Sequence, residues 1–329
     1  MRHARLFAVL VFAFVAIYGA IGFYFLPLAS FTGPLTRMGK LPESLFGWTR
    51  EQPEIDPALL VNAPWQEADM LAIGDSFTMP HLWQSVLAGH GIKVHTETWE
   101  SMRNVCEDIS GWLRQKGFKG RYVALEVVEH NFEDRLQRSL DCKQMYYHPI
   151  EQNPVTPPPR NMPVAAANYS GRLSVGIETR LNELRYLNIS ARPDFSVWNM
   201  ANTVRMKRVA NGCELFSHPR CNDVLFFADD HVGDFDDRTL AGMQTVGARL
   251  AGYTPVWIVV PDKSTAYLHP DKQFWNKAAQ RFVAPDVLKV LREKIETRTM
   301  DLYPANETHL STAGYLILGD AIYRSLSEK

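Results

Sequence analysis

The chain lacks a surplus of either charge. Its 35 lysines and arginines nearly balance its 36 aspartates and glutamates, and the formal net charge is −1. Nucleic-acid-binding proteins usually concentrate basic residues on one surface, so nucleic acid is not an expected partner. The chain also lacks a fixed-period repeat and any Cys/His cluster with zinc-ligand spacing. We therefore expect an ordinary globular protein, and neither a metal nor an organic cofactor is indicated.

Charge is absent altogether from Leu6 to Thr36, behind a short basic head. As a helix, the apolar stretch from Leu6 to Leu26 would span about 31 Å, enough to cross a hydrocarbon core. Signal peptides have shorter apolar regions of about 7–15 residues, so we favour an uncleaved anchor and keep a cleaved signal as the alternative. Arg2 and Arg5 favour a cytoplasmic amino terminus. We expect a single-pass inner-membrane protein whose globular part faces the periplasm.

The four cysteines fit such an oxidising compartment. Cys213 and Cys221 bracket a short loop, which predicts a bridged turn. Cys106 and Cys142 would then pair across a longer loop. Free buried thiols remain the alternative, more so for Cys106 and Cys142 than for the close pair.

The chain divides into four segments by composition. Residues 1–30 are the anchor or signal, and residues 31–68 are rich in Pro and Trp, which suggests a stalk or a wrapping segment. Residues 69–329 alternate strand and helix patterns, which predicts an α/β fold with a mostly parallel sheet covered on both faces. Residues 131–222 interrupt this alternation as an excursion. The predicted strands are 70–73, 92–98, 122–128, 224–227, 256–260 and 300–302, and the predicted helices are 81–87, 105–113, 177–184, 240–250, 287–295 and 311–326.

The tetrapeptide Gly74-Asp75-Ser76-Phe77 directly follows the first predicted strand. A serine in a small-residue turn after a buried parallel strand presents its hydroxyl at the carboxyl edge of the sheet, where α/β proteins place their chemistry. The hydroxyl needs a base to take its proton, and the base needs an orienting partner. Glu307-Thr308-His309 supplies both, with His309 as the base and Glu307 as its partner.

Each of these residues has a simpler explanation. Ser76 could cap the following helix, His309 could be packed in a loop, and Glu307 could favour the start of the last helix. All three explanations would have to coincide, which favours a joint catalytic role. Asp75 is expected to brace the turn rather than react.

Two other strands end in polar residues at the same expected edge. Pro261 to Tyr267 follows the strand at 256–260, and Lys263 or Tyr267 could contact a substrate or simply hold a salt-bridged loop. Glu126 and Glu129-His130, near the end of the strand at 122–128, could bind a sugar or hold neighbouring loops.

These segments resemble known families. Gly74-Asp75-Ser76-Phe77 resembles the first block of the SGNH (GDSL-like) hydrolase superfamily. Val259 to Tyr267, Glu307-Thr308-His309 and Leu125 to Glu129 are similar to segments of alginate O-acetyltransferase proteins of the AlgX/AlgJ type. Those proteins carry an Asp-x-His pair and a serine in a GDSF-like or GTSF-like motif, and they acetylate exopolysaccharide in the periplasm. The resemblance covers roughly residues 69–130 and 224–326.

The chain departs from these families in three ways. The serine motif precedes the acid-x-His motif, whereas the alginate proteins have the reverse order. The acid is Glu307 rather than Asp. Ordinary SGNH hydrolases also place an Asp three residues before the His, and that position is Asn306 here, so the acid-x-His spacing favours the acetyltransferase branch.

The resemblance implies a three-layer SGNH-type fold and acetyl transfer to an extracytoplasmic polysaccharide through Ser76, His309 and Glu307. It implies an oxyanion hole that includes the Ser76 backbone N–H, with Asn104 and Arg103 as candidates for the rest. It also implies a multi-spanning membrane O-acyltransferase that delivers the acyl group. Two alternatives remain, an acetyl esterase with the same site and a non-catalytic glycan-binding or assembly protein on a degenerate SGNH scaffold. The replacement of Asp by Glu307 is the best support for the second.

Overall fold

The structure, a computed structural model, describes residues 2–150, 154–163, 172–200, 203–230 and 233–327. It divides into two compact units. We call Glu51–Arg160, Asp229–Tyr303 and His309–Lys329 the sheet unit, and Met1–Arg50, Asn161–Ala228 and Pro304–Thr308 the anchor unit.

The described residues form fourteen α-helices and seven strands. The helices are α1 (Arg2–Phe25), α2 (Pro34–Gly39), α3 (Glu43–Phe46), α4 (Leu82–Gly89), α5 (Trp99–Met102), α6 (Ile109–Gln115), α7 (Glu129–Asp141), α8 (Leu173–Ser190), α9 (Gly212–Leu215), α10 (Asp237–Ala248), α11 (Lys263–Leu268), α12 (Phe274–Arg281), α13 (Val287–Glu296) and α14 (Thr312–Ser327). The strands are β1 (Met70–Gly74), β2 (Val94–Thr98), β3 (Tyr122–Val128), β4 (Val197–Met200), β5 (Val204–Arg208), β6 (Asp223–Phe227) and β7 (Thr254–Val260). Short 3₁₀ helices cover Leu26–Ala29 and Pro57–Leu59.

The sheet unit is built on a four-stranded parallel sheet with the order β2-β1-β3-β7. Every residue of β1 and β2 is buried, as are six of the seven residues of β3 and five of the seven of β7. Strands that are covered on both faces have nearly continuous apolar sequences, so β1, β3 and β7 could be predicted from the sequence. Gly74 lies opposite Thr98, and Val128 lies opposite Val260. The segments after these strands therefore leave one edge of the sheet, and the predicted α/β class with a parallel sheet is confirmed.

Helices complete the core of the sheet unit. α4 packs against α14, and α7 packs against α10. The approach of α4 and α14 is close, because a Cβ at Gly319 would lie 2.6 Å from the carbonyl oxygen of Trp83. Leu240, Met243 and Val246 of α10 are buried, so the apolar face predicted for that helix is confirmed.

The anchor unit contains a three-stranded antiparallel sheet with the order β4-β5-β6 and its own apolar core. Tyr186 of α8 is fully buried there, and its hydroxyl donates to Asp223 Oδ2 at 2.8 Å. The segment at residues 31–68 contributes buried side chains to both units. Those of the anchor unit are Leu35, Leu41 and Phe46, and those of the sheet unit are Ile55, Leu60, Ala63 and Ala68.

Two predictions about strands are wrong. Residues 300–302 form a turn instead of a strand, and Asp301 has a φ of 53°, a left-handed conformation that a strand does not accommodate. The predicted strand at 224–227 exists as β6, but it pairs antiparallel with β5 instead of joining the parallel sheet. A short apolar run indicates a buried strand without specifying its neighbour, so the pattern could not assign β6 to a sheet.

The amino-terminal helix and the cysteines agree with the sequence in their coarse features. α1 has 24 residues and none is buried, and an 18-residue window of the helical stretch Arg2–Ala29 has a mean hydropathy of 2.5. By length and composition it could cross a membrane, a test that a signal sequence also passes. Cys106 bonds to Cys142 and Cys213 bonds to Cys221, so both predicted pairings are confirmed.

Candidate active site

Ser76 and His309 meet within the sheet unit. Ser76 lies in the turn after β1 and is exposed, and its Oγ is 2.7 Å from Nε2 of His309, which precedes α14. The imidazole packs against the buried ring of Phe77, with ring centroids 4.7 Å apart. This contact with Phe77 restricts the orientation of the imidazole. The hydroxyl and the nitrogen are therefore within proton-transfer distance before any substrate arrives.

The turn that carries Ser76 needs a glycine at its start. A Cβ at Gly74 would collide with Thr78 Oγ1 and lie 2.6 Å from Glu126 Oε2. That Oε2 accepts hydrogen bonds from the Asp75 N–H at 3.0 Å and from Thr78 Oγ1 at 2.7 Å. Burial, together with the negative charge of Asp75, raises the pKa of Glu126 well above its usual value. Through these two hydrogen bonds Glu126 ties the turn to β3.

Asp75 braces the same turn from the other side. Its Oδ1 accepts from the Phe77 N–H at 3.0 Å, and its Oδ2 accepts from the Val128 N–H at 2.8 Å. Because Val128 ends the neighbouring strand β3, the carboxylate ties the serine turn to the sheet. The bracing role expected for Asp75 is confirmed.

The backbone N–H of Ser76 makes no hydrogen bond to the described residues, so it is available to a negatively charged oxygen next to the nucleophile. Arg103 and Asn104 follow β2 and α5. Arg103 has φ 58° and ψ −63°, an unusual backbone conformation for a residue with a side chain, and its guanidinium lies 4.6 Å from the ring centre of Tyr146. The side-chain amide of Asn104 makes no hydrogen bond within the described part of the chain.

Glu307 lies in the segment Pro304–Thr308, which groups with the anchor unit. Its N–H donates to the Pro304 carbonyl at 3.1 Å, and its Oε1 accepts from the Thr308 N–H at 2.9 Å. Asn306, which stands where ordinary SGNH hydrolases carry an Asp, is buried and donates through Nδ2 to Glu43 Oε1. Asn306 is thus committed to the packing of the anchor unit.

The same sheet edge carries a histidine–carboxylate pair that the sequence did not reveal. His130 follows β3 and Asp262 follows β7, and His130 Nδ1 lies 2.6 Å from Asp262 Oδ1. Burial alone would lower the pKa of His130, but the hydrogen bond and the charge of Asp262 outweigh it, so the pKa is raised. Both segments stood out separately in the sequence, and the adjacency of β3 and β7 was the missing information.

Two more buried carboxyls surround this pair. Glu129 accepts from the Asp262 N–H at 2.8 Å and pairs with Lys272. Burial, and to a smaller extent the negative charge of Asp262, raises the pKa of Glu129 to about 7. Asp230 accepts from the Ser264 N–H at 3.1 Å. Burial, and to a smaller extent the negative charge of Asp262, raises the pKa of Asp230 to about 6. The carboxyl groups at this part of the edge are therefore not all fully ionised at neutral pH.

His130, Asp230 and Asp262 have the donor chemistry of a metal site, and one ligand atom from each lies within 4.8 Å of the others. His130 and Asp262 already satisfy each other through their hydrogen bond. The group is therefore complete as a hydrogen-bonded cluster, and we assign it no ion.

The two further candidates for substrate contact lie at the start of α11. Lys263 is 2% exposed, which favours the alternative in which it holds its loop. Tyr267 is half-buried with its ring 6.4 Å from that of Tyr303, and burial raises its pKa, so its hydroxyl stays protonated.

A surface groove elsewhere in the sheet unit does not include the candidate pair. It lies between α13 and α14 and has a volume of about 420 Å³. Its lining includes Asp286, Lys289, Asp320 and Arg324 but neither Ser76 nor His309. Ser76 and His309 thus lie outside this groove.

Comparison of the chain with protein-family models, with curated proteins and with solved structures finds no match. What the site can do is therefore argued from its geometry. An exposed hydroxyl bonded to an imidazole at the carboxyl edge of a parallel sheet is suited to nucleophilic attack on a carbonyl.

Proposed function

We propose that this protein is a membrane-anchored periplasmic O-acetyltransferase of the SGNH type, which acts on an extracytoplasmic polysaccharide. The observation that carries the proposal is the 2.7 Å contact between Ser76 Oγ and His309 Nε2 at the sheet edge. The exposure of Ser76 supports it, because a polymeric acceptor can reach an open surface more easily than a closed cavity.

The first half of the proposed reaction forms an acetyl-enzyme. Ser76 Oγ attacks the carbonyl carbon of the acetyl donor while His309 Nε2 takes the hydroxyl proton. The tetrahedral intermediate collapses, the bond to the donor oxygen breaks, and His309 returns the proton to that leaving group. The product is an acetyl ester on Ser76.

The second half moves the acetyl group to the sugar. His309 takes the proton of a sugar hydroxyl, whose oxygen attacks the acetyl carbon on Ser76. Collapse of the second intermediate releases the acetylated sugar, and His309 returns the proton to Ser76 Oγ. The enzyme is regenerated without any cofactor.

Other residues support these steps in the proposal. Glu307 orients His309 and stabilises its charged form. The Ser76 N–H is one donor to the oxyanion, and the unbonded amide of Asn104 is a candidate second donor. The unusual backbone of Arg103 places a strained residue beside Asn104, and such strain is frequent at functional sites.

The proposed location follows from α1 and from the two disulfides, which fit an oxidising compartment. Arg2 and Arg5 favour a cytoplasmic start for α1. Acetyl groups made in the cytoplasm must then cross the membrane, so we infer a multi-spanning membrane O-acyltransferase as the partner that delivers them. The resemblance to alginate O-acetyltransferase proteins of the AlgX/AlgJ type supports this arrangement.

An acetyl esterase is the second candidate. The exposure of Ser76 fits an esterase as well as a transferase, because water reaches an open acetyl-enzyme as readily as a sugar does. The two activities share the first half-reaction and differ only in the acceptor.

The experiment that separates them measures both products. Full-length protein is given a small acetyl ester with and without a panel of neutral and uronate oligosaccharides, and acetate and acetylated sugar are quantified. A transferase forms acetylated sugar at the expense of acetate, whereas an esterase forms acetate alone. Ser76→Ala should form neither, and Ser174→Ala, an exposed serine on α8, is the matched control. Turnover of the ester by Ser76→Ala would contradict both candidates.

A further inference from the structure

α8 carries large apolar side chains that the core of the anchor unit does not use. Ile177, Leu181, Leu184 and Leu187 are 37%, 48%, 48% and 36% exposed. They follow one another at intervals of three or four residues, so they form a stripe along one face of the helix, which we call the outer stripe. The buried residues Thr179 and Tyr186 lie on the opposite face. Among the described residues, α8 therefore buries its inner face within the anchor unit and leaves the outer stripe partly exposed.

α8 lies close to the end of α1. α8 packs on the 3₁₀ helix Leu26–Ala29 and on the end of α1. A Cβ at Gly176 would collide with the carbonyl oxygen of Phe25, the last residue of α1, so the two backbones touch there. A helix that crosses the hydrocarbon core has its ends at the headgroups. α8 therefore begins beside the point where the chain leaves the bilayer.

We propose that α8 is a second membrane contact, lying in the plane of the bilayer with its outer stripe at the boundary between headgroups and acyl chains. This inference rests on the proposed anchoring by α1. A helix that lies on the bilayer surface buries an apolar face of this kind among the acyl chains. Because α1 already holds α8 at the surface, the contact forms at a high effective concentration.

The geometry favours lipid over a protein partner. The start of α8 lies against the end of α1, and α8 has 18 residues, about 27 Å of helix. A single crossing helix leaves the anchor unit free to rotate and tilt about one point. A helix of this length lying on the surface would remove most of that freedom and fix which face of the anchor unit meets the bilayer.

The test places a photoreactive amino acid in the full-length protein, reconstituted in vesicles of phosphatidylethanolamine and phosphatidylglycerol. p-Benzoylphenylalanine replaces Ile177, Leu181 or Leu184 on the outer stripe, and Glu178 or Arg185 on other faces of the same helix as matched controls. We expect several-fold more lipid adduct at the three stripe positions than at the controls after illumination. The labelling should thus follow the helical period. Resistance of the protein to alkaline extraction is measured in parallel.

A second variant tests the stripe chemically. With the label at Ile177, the double substitution Leu181→Glu and Leu184→Glu should lower the lipid adduct several-fold, because carboxylates are poorly accommodated among acyl chains. Arg185→Glu should leave the adduct unchanged. Circular dichroism and turnover of a soluble acetyl ester check that the fold is intact.

Several results would overturn the inference. Equal labelling at all five positions, or adducts with a second copy of the chain or with another protein at the stripe, would show that lipid does not cover it. Release of the protein by alkali would refute the anchoring by α1 and the inference with it. If the full-length protein without substitutions shows no acetyl transfer while lipid labelling is preserved, the proposed function is refuted and the membrane contact still stands.

Discussion

Two histidines at one sheet edge have partners at almost the same distance and of opposite chemistry. His309 lies 2.7 Å from the hydroxyl of Ser76, which is exposed. His130 lies 2.6 Å from the carboxylate of Asp262, whose side chain is 2% exposed. An imidazole that faces a hydroxyl can take its proton. A buried carboxylate favours the charged form of its imidazole, and Asp262 accordingly raises the pKa of His130.

The comparison shows why proximity alone does not identify a catalytic histidine. Both residues lie close to polar groups, but the Nε2 partner of His309 is a hydroxyl and the Nδ1 partner of His130 is a carboxylate. The raised pKa of His130 belongs to a cluster with three buried carboxyls, Glu129, Asp230 and Asp262. We therefore propose a catalytic role for Ser76 and His309, and we propose that His130 balances the negative charge of the buried Asp262.

The largest expected effect is on the Ser76–His309 pair. Ser76→Ala and His309→Ala should each lower turnover of a small acetyl ester by roughly three to six orders of magnitude, because either change removes the activated nucleophile. The double variant should be no worse than the single ones, since the two residues act as one unit. Steady-state kinetics measures this, with thermal unfolding as a control for folding. Additive losses in the double variant would count against a shared step.

The next effect compares the two acids associated with the histidines. Glu307→Gln should lower turnover by roughly two to four orders of magnitude, because an amide does not stabilise the imidazolium as a carboxylate does. Asp262→Asn should lower it by less than about tenfold, since it is placed outside the proton transfers. Both rates are measured on the same ester. Reversed sensitivities would assign the base to His130 instead.

His130→Gln should change stability more than rate. The substitution leaves the buried Asp262 without its charged partner, and we expect a loss of about 2–4 kcal/mol at pH 6, less than for a fully buried pair since His130 is partly exposed. The folded-state pKa of His130 is raised, so its stabilisation is present below its unfolded pKa and is lost as pH rises through the folded value. Urea unfolding should therefore show a smaller difference from wild type at pH 8.5 than at pH 6. A larger difference at pH 8.5 would reject the charged pair.

The smallest effect concerns Asp230. Its pKa is raised from 3.8 to about 6, so the folded state binds the proton more tightly and Asp230 lowers stability increasingly as pH rises from about 4 to 6. Asp230→Asn should stabilise the protein by about 1–2 kcal/mol at pH 7.5 and by almost nothing at pH 4. The loss of attraction to His130 keeps the gain below the full value of the shift. Thermal unfolding at both pH values tests this, and destabilisation at pH 7.5 would contradict it.

Much of the sheet unit could be predicted from the sequence because local patterns determine it. The buried parallel strands are apolar runs, and the turn at Gly74 to Phe77 follows one of them directly. Cys213 and Cys221 are close in sequence, so their pairing was the simpler of the two disulfides to foresee. Ser76 and His309 are far apart in sequence, and their pairing followed from the chemical need of a serine for a base.

What the sequence left hidden depends on contacts between distant segments. Packing within the anchor unit determines which strand pairs with β6. The apolar sequence of β6 predicts a strand but does not specify its partner. The pairing of His130 with Asp262 depends on the order of β3 and β7 in the sheet. The helical period of Ile177, Leu181 and Leu184 predicted α8, but a periodic pattern does not say which face is covered, and these residues turned out to be exposed.

The most direct test of the central claim is to trap the acyl group on the enzyme. Full-length protein is mixed with a small acetyl ester, quenched in acid within the first turnover, digested, and analysed by mass spectrometry. Nucleophilic catalysis by Ser76 with His309 as base predicts one added acetyl group on the peptide that contains Ser76, and none in His309→Ala. An acetyl group on another residue, or an active enzyme with an unmodified Ser76 peptide at every quench time, would contradict it.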